Sequence, residues 1–150
     1  MCMGRRYINP KWRFREGAIS LSSSPVISII DDDASVRTAT QNLIRSLGYT
    51  VHIFASAEAF LQSPQLDVTS CVITDVQMPE MNGVELQRRL RATGYRVPFI
   101  FISAFPEERV RQRALKDGAI CFLAKPFDGC VLINYLNTAL EEYHGQPKNG

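Results

Sequence analysis

No apolar run in this chain approaches the roughly 20 residues that a membrane-spanning helix needs, so helical transmembrane functions are excluded. Its first residues, Met1-Cys2-Met3-Gly4-Arg5-Arg6, lack the continuous apolar core of a secretory signal. Cysteine is scarce: Cys2, Cys71, Cys121 and Cys130 form no C-x-x-C pair and have no nearby His. A metal or dithiol redox centre is therefore not expected, and the four read as small reduced residues of a cytoplasmic protein. Neither a P-loop nor a G-x-G-x-x-G turn is present, which removes the two commonest nucleotide-binding signatures. No internal repeat is visible.

What is present suits one ordinary domain. The chain has 150 residues, 45% hydrophobic and 21% charged, enough for a proper core. Its charge is uneven. Residues 1–24 hold Arg5, Arg6, Lys11, Arg13 and Arg15 against Glu16, a balance of +4, and the other 12 basic residues against 14 acidic ones give −2, restoring the overall +2. Residues 1–24 are expected to be a basic, disordered N-terminal extension, residues 25–143 a folded domain, and residues 144–150 a polar, frayed tail. Trp12 and Phe14 among the basic residues keep a nucleic-acid or acidic-surface contact by the extension open.

Five short β-branched or aromatic runs alternate with five amphipathic segments. Val26–Ile30, Thr50–Phe54, Val72–Asp75, Val97–Ile102 and Ala119–Ala124 read as strands. Ala34–Leu47, Ser56–Leu61, a segment marked by Val84, Leu86 and Leu90, a segment from Pro106 to Lys116, and Phe127–Tyr143 read as helices. Gly48, Gly94 and Gly118 stop three of them. Strict alternation predicts a parallel sheet with right-handed crossovers and helices on both faces.

In such a sheet every strand's carboxyl end points the same way, and open α/β folds place their chemistry there. The residues at those tips are Asp31 and Asp32, Asp75, Ser103 and Lys125, each directly after an apolar run. One Asp suffices to cap the first helix, and Asp33 suits it. The two left over repel each other and suggest a cation site. At Asp75 the chain must turn, because Met78-Pro79 follows: Pro79 lacks an N–H and biases Met78 away from helix.

The set resembles the receiver domain of bacterial two-component response regulators, of which the chemotaxis Y protein is the simplest member. (That protein is a standard example of this fold.) The resemblance covers about residues 25–143 and rests on Asp31-Asp32, Asp75-x-x-Met78-Pro79-x-Met81-x-Gly83, Ser103-Ala104 and Lys125-Pro126-Phe127. The wording Val-Pro-Phe-Ile-Phe-Ile-Ser and Phe-Leu-Ala-Lys-Pro-Phe is similar to the FixJ-like branch. The resemblance implies a (βα)5 doubly wound, flavodoxin-like sheet of five parallel strands in the order 2-1-3-4-5. It implies Asp75 as phosphoacceptor, forming an acyl phosphate. Mg2+ would be held by Asp32, Asp75 and the backbone carbonyl of Gln77, with Asp31 acting through the metal's water. Hard oxygen ligands suit that ion. Lys125 and Ser103 would contact phosphoryl oxygens. The family also carries a cis bond at Lys125–Pro126, which only an X–Pro peptide makes cheap.

The resemblance further implies a switch in which Ser103 moves toward the phosphoryl group and the aromatic Phe122 turns inward. Phe122 lacks the hydroxyl many receivers carry there, so a hydrogen-bonded latch at that position is not expected. The readout would be the face of the fourth helix, fifth strand and fifth helix, including Arg109, Arg111, Arg113 and Lys116, used for partner binding or a homodimer. The phosphodonor would be a sensor histidine kinase, and the effector is unknown. Direct nucleic-acid binding by the domain and membrane contact are not expected. Gln77 and Phe105 occupy positions that the family uses to set phosphoryl lifetime, and a large Phe105 implies slow self-dephosphorylation.

The resemblance implies a regulatory phosphoacceptor rather than an enzyme acting on other molecules. Three other readings compete. A metal-dependent phosphatase with an aspartyl intermediate would use Asp31-x-Asp33, but leaves the Asp75 motif and Lys125-Pro126 unexplained. A pseudo-receiver, an interaction module without phosphorylation, normally lacks an acidic residue or the Lys, and here all are present. A flavodoxin-like cofactor binder wants a hydroxyl-rich loop after the first strand, where this chain has acids. No helix-turn-helix effector is evident, so the chain reads as a stand-alone regulator or a fragment of a longer one.

Overall fold

The structure, a computed structural model, describes residues 24–145; the basic extension, apart from Ser24, and residues 146–150 of the tail lie outside them. Among the described residues, five strands, β1 (Val26–Ile30), β2 (Thr50–Phe54), β3 (Cys71–Asp75), β4 (Phe99–Ser103) and β5 (Cys121–Ala124), alternate with five α-helices. These are α1 (Ala34–Arg45), α2 (Ala57–Leu61), α3 (Gly83–Ala92), α4 (Glu108–Lys116) and α5 (Gly129–Gly145). All strands are parallel, in the order β2-β1-β3-β4-β5, as expected. No described helix is long and apolar enough to cross a membrane.

The nearly continuous apolar wording of β1, β3 and β4 follows from burial on both faces. On one face Ile29, Ile73, Ile100 and Cys121 pack beneath Ile44 of α1 and Leu132 and Leu136 of α5. On the other, Ile30, Val72, Phe99 and Phe101 pack against Phe60 of α2, Leu86 of α3 and Ala114 of α4. The β2 strand, at one edge, has no fully buried residue.

Element ends differ from the sequence reading where capping decides. The first helix begins where expected, with the Asp33 carboxylate accepting from Ser35 N–H and Val36 N–H. Its end is earlier, at Arg45, with the chain turning at Gly48 in a left-handed conformation (φ 95°). The last helix starts at Gly129 rather than Phe127, because the Asp128 carboxylate accepts from Cys130 N–H at 2.7 Å. A 3-10 helix, Pro64–Val68, fills the expected loop before β3, started by Ser63 and Pro64. The cysteines divide. Cys71 and Cys121 are free and buried, whereas Cys130 is disulfide-bonded and half-buried, contrary to the expectation of four reduced thiols.

Register sets the tips. Ile30 pairs with Thr74, so Asp31 and Asp75 stand side by side at one level. Asp75 pairs with Ile102, and Ser103 with Ala124. Ser103 therefore stands one residue above Asp75, and Lys125 higher still, so that only a long side chain returns from there to the carboxylates.

Candidate functional site

Asp31, Asp32 and Asp75 converge at the carboxyl edge. Each offers one oxygen, and these oxygens lie within 4.8 Å of one another. Asp31 and Asp75 are 2% and 3% exposed, while Asp32 is open to solvent. Two buried carboxylates this close are costly unless a cation joins them. Lys125 Nζ does so, 3.3 Å from Asp31 Oδ2 and 3.4 Å from Asp75 Oδ2. The Lys125–Pro126 peptide is cis, matching the expectation.

The polar atoms of Asp31 are all engaged. Its N–H donates to Phe54 O, its Oδ1 accepts from Asp33 N–H, and its carbonyl accepts from Arg37 Nη1 at 2.6 Å. The other site carboxylate differs: Asp75 Oδ1 is buried and has no hydrogen-bond partner. Burial, followed by the charge of Asp31, pushes the Asp75 carboxyl up to about 6, against the pull of Lys125. Burial lowers the Lys125 ammonium, but the two carboxylates more than offset this and raise it. An orphaned carboxylate oxygen among hard oxygen donors fits a small divalent cation.

Gly83 explains the loop after Asp75. Its N–H donates to Val76 O at 3.1 Å, and a Cβ there would run into the Asp75 carbonyl oxygen. Asn82 and Glu85 close a reciprocal capping box at the start of α3. Glu80 takes a left-handed conformation at φ 63°, which completes the turn away from the carboxylate.

Ser103 is fully buried at the end of β4. Its hydroxyl donates to Gln77 Oε1 at 2.9 Å and accepts from Phe105 N–H at 3.1 Å. Phe105 itself is 72% exposed. Phe122 is half-buried, its ring 6.1 Å from that of Phe101. Arg109, Arg111, Arg113 and Lys116 are exposed along α4; Arg111 pairs with Glu108 at 3.1 Å, a surface contact of little energetic weight.

The expected tip residues thus come together, except that Ser103 is directed to Gln77. Sequence reasoning missed two contributors. Arg37 steadies the Asp31 backbone, and its signal was a cation near a helix N-terminus, where the dipole disfavours one. The side chain of Gln77 was expected to bear on phosphoryl lifetime, and its bond to the Ser103 hydroxyl carried no local signal. A surface hollow of about 740 Å³ lined by Glu58, Glu80, Glu85 and Arg88, among others, has none of Asp31, Asp32 and Asp75 in its lining.

Comparison with known proteins gives a consistent result. Residues 27–137 match the family model described as response regulator receiver domain. The chain is 42% identical over 124 residues to the response regulator protein TmoT of Ectopseudomonas mendocina, covering 83% of this chain and 56% of that protein. It is 37% identical over 130 residues to nodulation protein W of Bradyrhizobium diazoefficiens, covering 87% and 57% respectively. It therefore spans little more than half the length of these relatives. The crystal structure of FixJ-N superposes with a TM-score of 0.72 at 34% identity, covering 79% of this chain and 94% of that one.

Proposed function

The chain belongs to the response regulator receiver domain family, and from that premise we propose that Asp75 accepts a phosphoryl group from a histidine kinase. The observation that carries the proposal is the Asp75 carboxylate itself. It is buried at a strand tip, paired through Oδ2 with Lys125, and orphaned at Oδ1. With its acid constant near 6, it is mostly ionised at neutral pH, the form a nucleophile needs.

In the transfer, an Asp75 oxygen forms a bond to phosphorus as the donor's P–N bond breaks. The electron pair leaves with the imidazole, which takes up a proton. Such transfer depends on positioning and charge neutralisation more than on covalent help. Asp32, Asp75 and the Gln77 carbonyl would hold Mg2+, which supplies neutralisation of charge on the phosphoryl oxygens. Asp31, with Oδ1 and Oδ2 already committed to Asp33 N–H and Lys125, suits an indirect role through water. Lys125 is a compact charge that can shift from the carboxylates to a phosphoryl oxygen.

Phosphorylation adds about two negative charges. Ser103 and Phe122 would register them, and the face of α4, β5 and α5 would pass the change to an effector or a second copy of the chain. Phe105, beside the path of attacking water, would lengthen the phosphoryl lifetime; Phe105→Glu should alter the phosphate-release time course, and an unchanged one removes that role.

Incubation with acetyl phosphate and Mg2+, followed by intact mass and size-exclusion chromatography, tests the reading. Wild type should gain a phosphoadduct that EDTA prevents and Asp75→Asn lacks. Absence of any Mg2+-dependent adduct in the wild type overturns it.

A further inference from the structure

A hydroxyl has one proton to donate, and in this structure that of Ser103 is already committed. The Ser103 oxygen accepts the Phe105 N–H, so its hydrogen is directed at Gln77 Oε1, 2.9 Å away. The orientation of the Gln77 amide is fixed at its other end. Its Nε2 faces the Phe105 carbonyl at 3.4 Å, and a flipped amide would set two oxygens against each other. Gln77, Ser103 and Phe105 thus close a clasp between the loop after β3 and the loop after β4. The Ser103 side of it is buried, where a hydrogen bond is worth more than at the surface.

We propose that the Gln77 side chain is a positioning residue that acts through Ser103: it holds the hydroxyl proton in the unphosphorylated protein and competes for it with a phosphoryl group on Asp75. This rests on Asp75 being the phosphoacceptor. For Ser103 to donate to a phosphoryl oxygen, the bond to Gln77 must break. The strength of that bond is therefore part of the cost of switching. Gln77 sets how readily the site passes to its occupied state, in addition to any effect on water. A side chain two residues beyond the nucleophile is exposed and free to leave, so the clasp is reversible.

The test uses beryllofluoride, a phosphoryl mimic, titrated at saturating Mg2+ into wild type, Gln77→Met, Ser103→Ala and the double variant. Met keeps the length of Gln and removes the acceptor. Loss of one neutral hydrogen bond corresponds to roughly 3- to 10-fold in an equilibrium constant. Gln77→Met should tighten beryllofluoride binding by about that factor, and the gain should vanish in the Ser103→Ala background, which a general loosening of the loop would not do. Unchanged or weaker binding in Gln77→Met, or an equal gain without Ser103, overturns the proposal. Amide exchange at Phe105, measured in the ligand-free protein, should be faster in Gln77→Met; unchanged exchange means that no clasp forms. If wild type binds no beryllofluoride, the phosphoacceptor reading fails, and the exchange measurement still decides whether the clasp exists.

Discussion

Lys125 reaches Asp75 at 3.4 Å and, with the same ammonium, Asp31 at 3.3 Å. One cation thus serves two carboxylates that are each almost fully buried. Removing it leaves like charges facing each other in a site of low dielectric, the situation in which breaking a buried pair costs most. In metal-free buffer, Lys125→Met should lower stability by about 3–5 kcal/mol, read by urea unfolding in EDTA. Millimolar Mg2+ should then stabilise the variant more than the wild type, because no ammonium competes for the carboxylates. Equal Mg2+ responses would mean that the ion and Lys125 do not share a site.

Gly83 opens α3 with no room for a side chain. Alanine is the better helix former by about 1 kcal/mol, so propensity alone favours Gly83→Ala. The Asp75 carbonyl oxygen stands where the new Cβ would go, and the Phe101 ring lies 3.3 Å from that position. Overpacking of this kind costs about 1–3 kcal/mol. The variant should be destabilised despite its propensity, with the capping box of Asn82 and Glu85 strained alongside. A urea midpoint equal to or above that of the wild type would show that the start of α3 can shift away freely.

The strands and most site residues were legible because their signals are local. β-branched runs mark strands buried on both faces, and a polar residue directly after such a run marks a tip. Asp33 carries its reason within a few residues of chain, in the N–H groups of Ser35 and Val36 that it caps. The contacts that escaped are not local. Gln77 and Ser103 are 26 residues apart, and nothing in either neighbourhood announces that a side-chain amide will take the hydroxyl's proton. The 3-10 helix Pro64–Val68 was hidden for another reason: Pro64 signals the end of a helix as strongly as the start of one, and only Ser63, accepting from Gln65 N–H, decides.

At the opposite edge of the sheet, Arg91 also lay outside the sequence reading. Its Nη1 donates to the carbonyls of Tyr95 and Val97 at 2.9 and 3.0 Å, and its Nε to that of Asp117 at 3.3 Å. Its guanidinium lies 5.4 Å from the centre of the Phe99 ring. A planar fork serves these partners at once, and a lysine ammonium does not. Arg91→Lys should lose about 1–3 kcal/mol of stability while leaving the acetyl phosphate adduct intact in the folded fraction. An adduct lost in proportion at full folding would tie this edge to the site.

The last prediction concerns pH. The Asp75 carboxyl is held near 6, against an ordinary value of 3.8, chiefly by burial and next by Asp31. The folded protein therefore binds this proton more tightly than the unfolded chain does. Its stabilising effect is complete below about 3.8 and disappears as pH rises through about 6. Above that, the ionised group is a net cost to folding, because burial penalises its charged form. Asp75→Asn carries no such charge. In EDTA at pH 7.5 the variant should be the more stable protein, and the difference should shrink steadily as pH falls toward 4. Adding Mg2+ at pH 7.5 should close the gap from the other side, since the ion favours the ionised wild type. A variant less stable than wild type at pH 7.5, by an amount independent of pH, would mean that the pairing of Asp75 with Lys125 outweighs its burial.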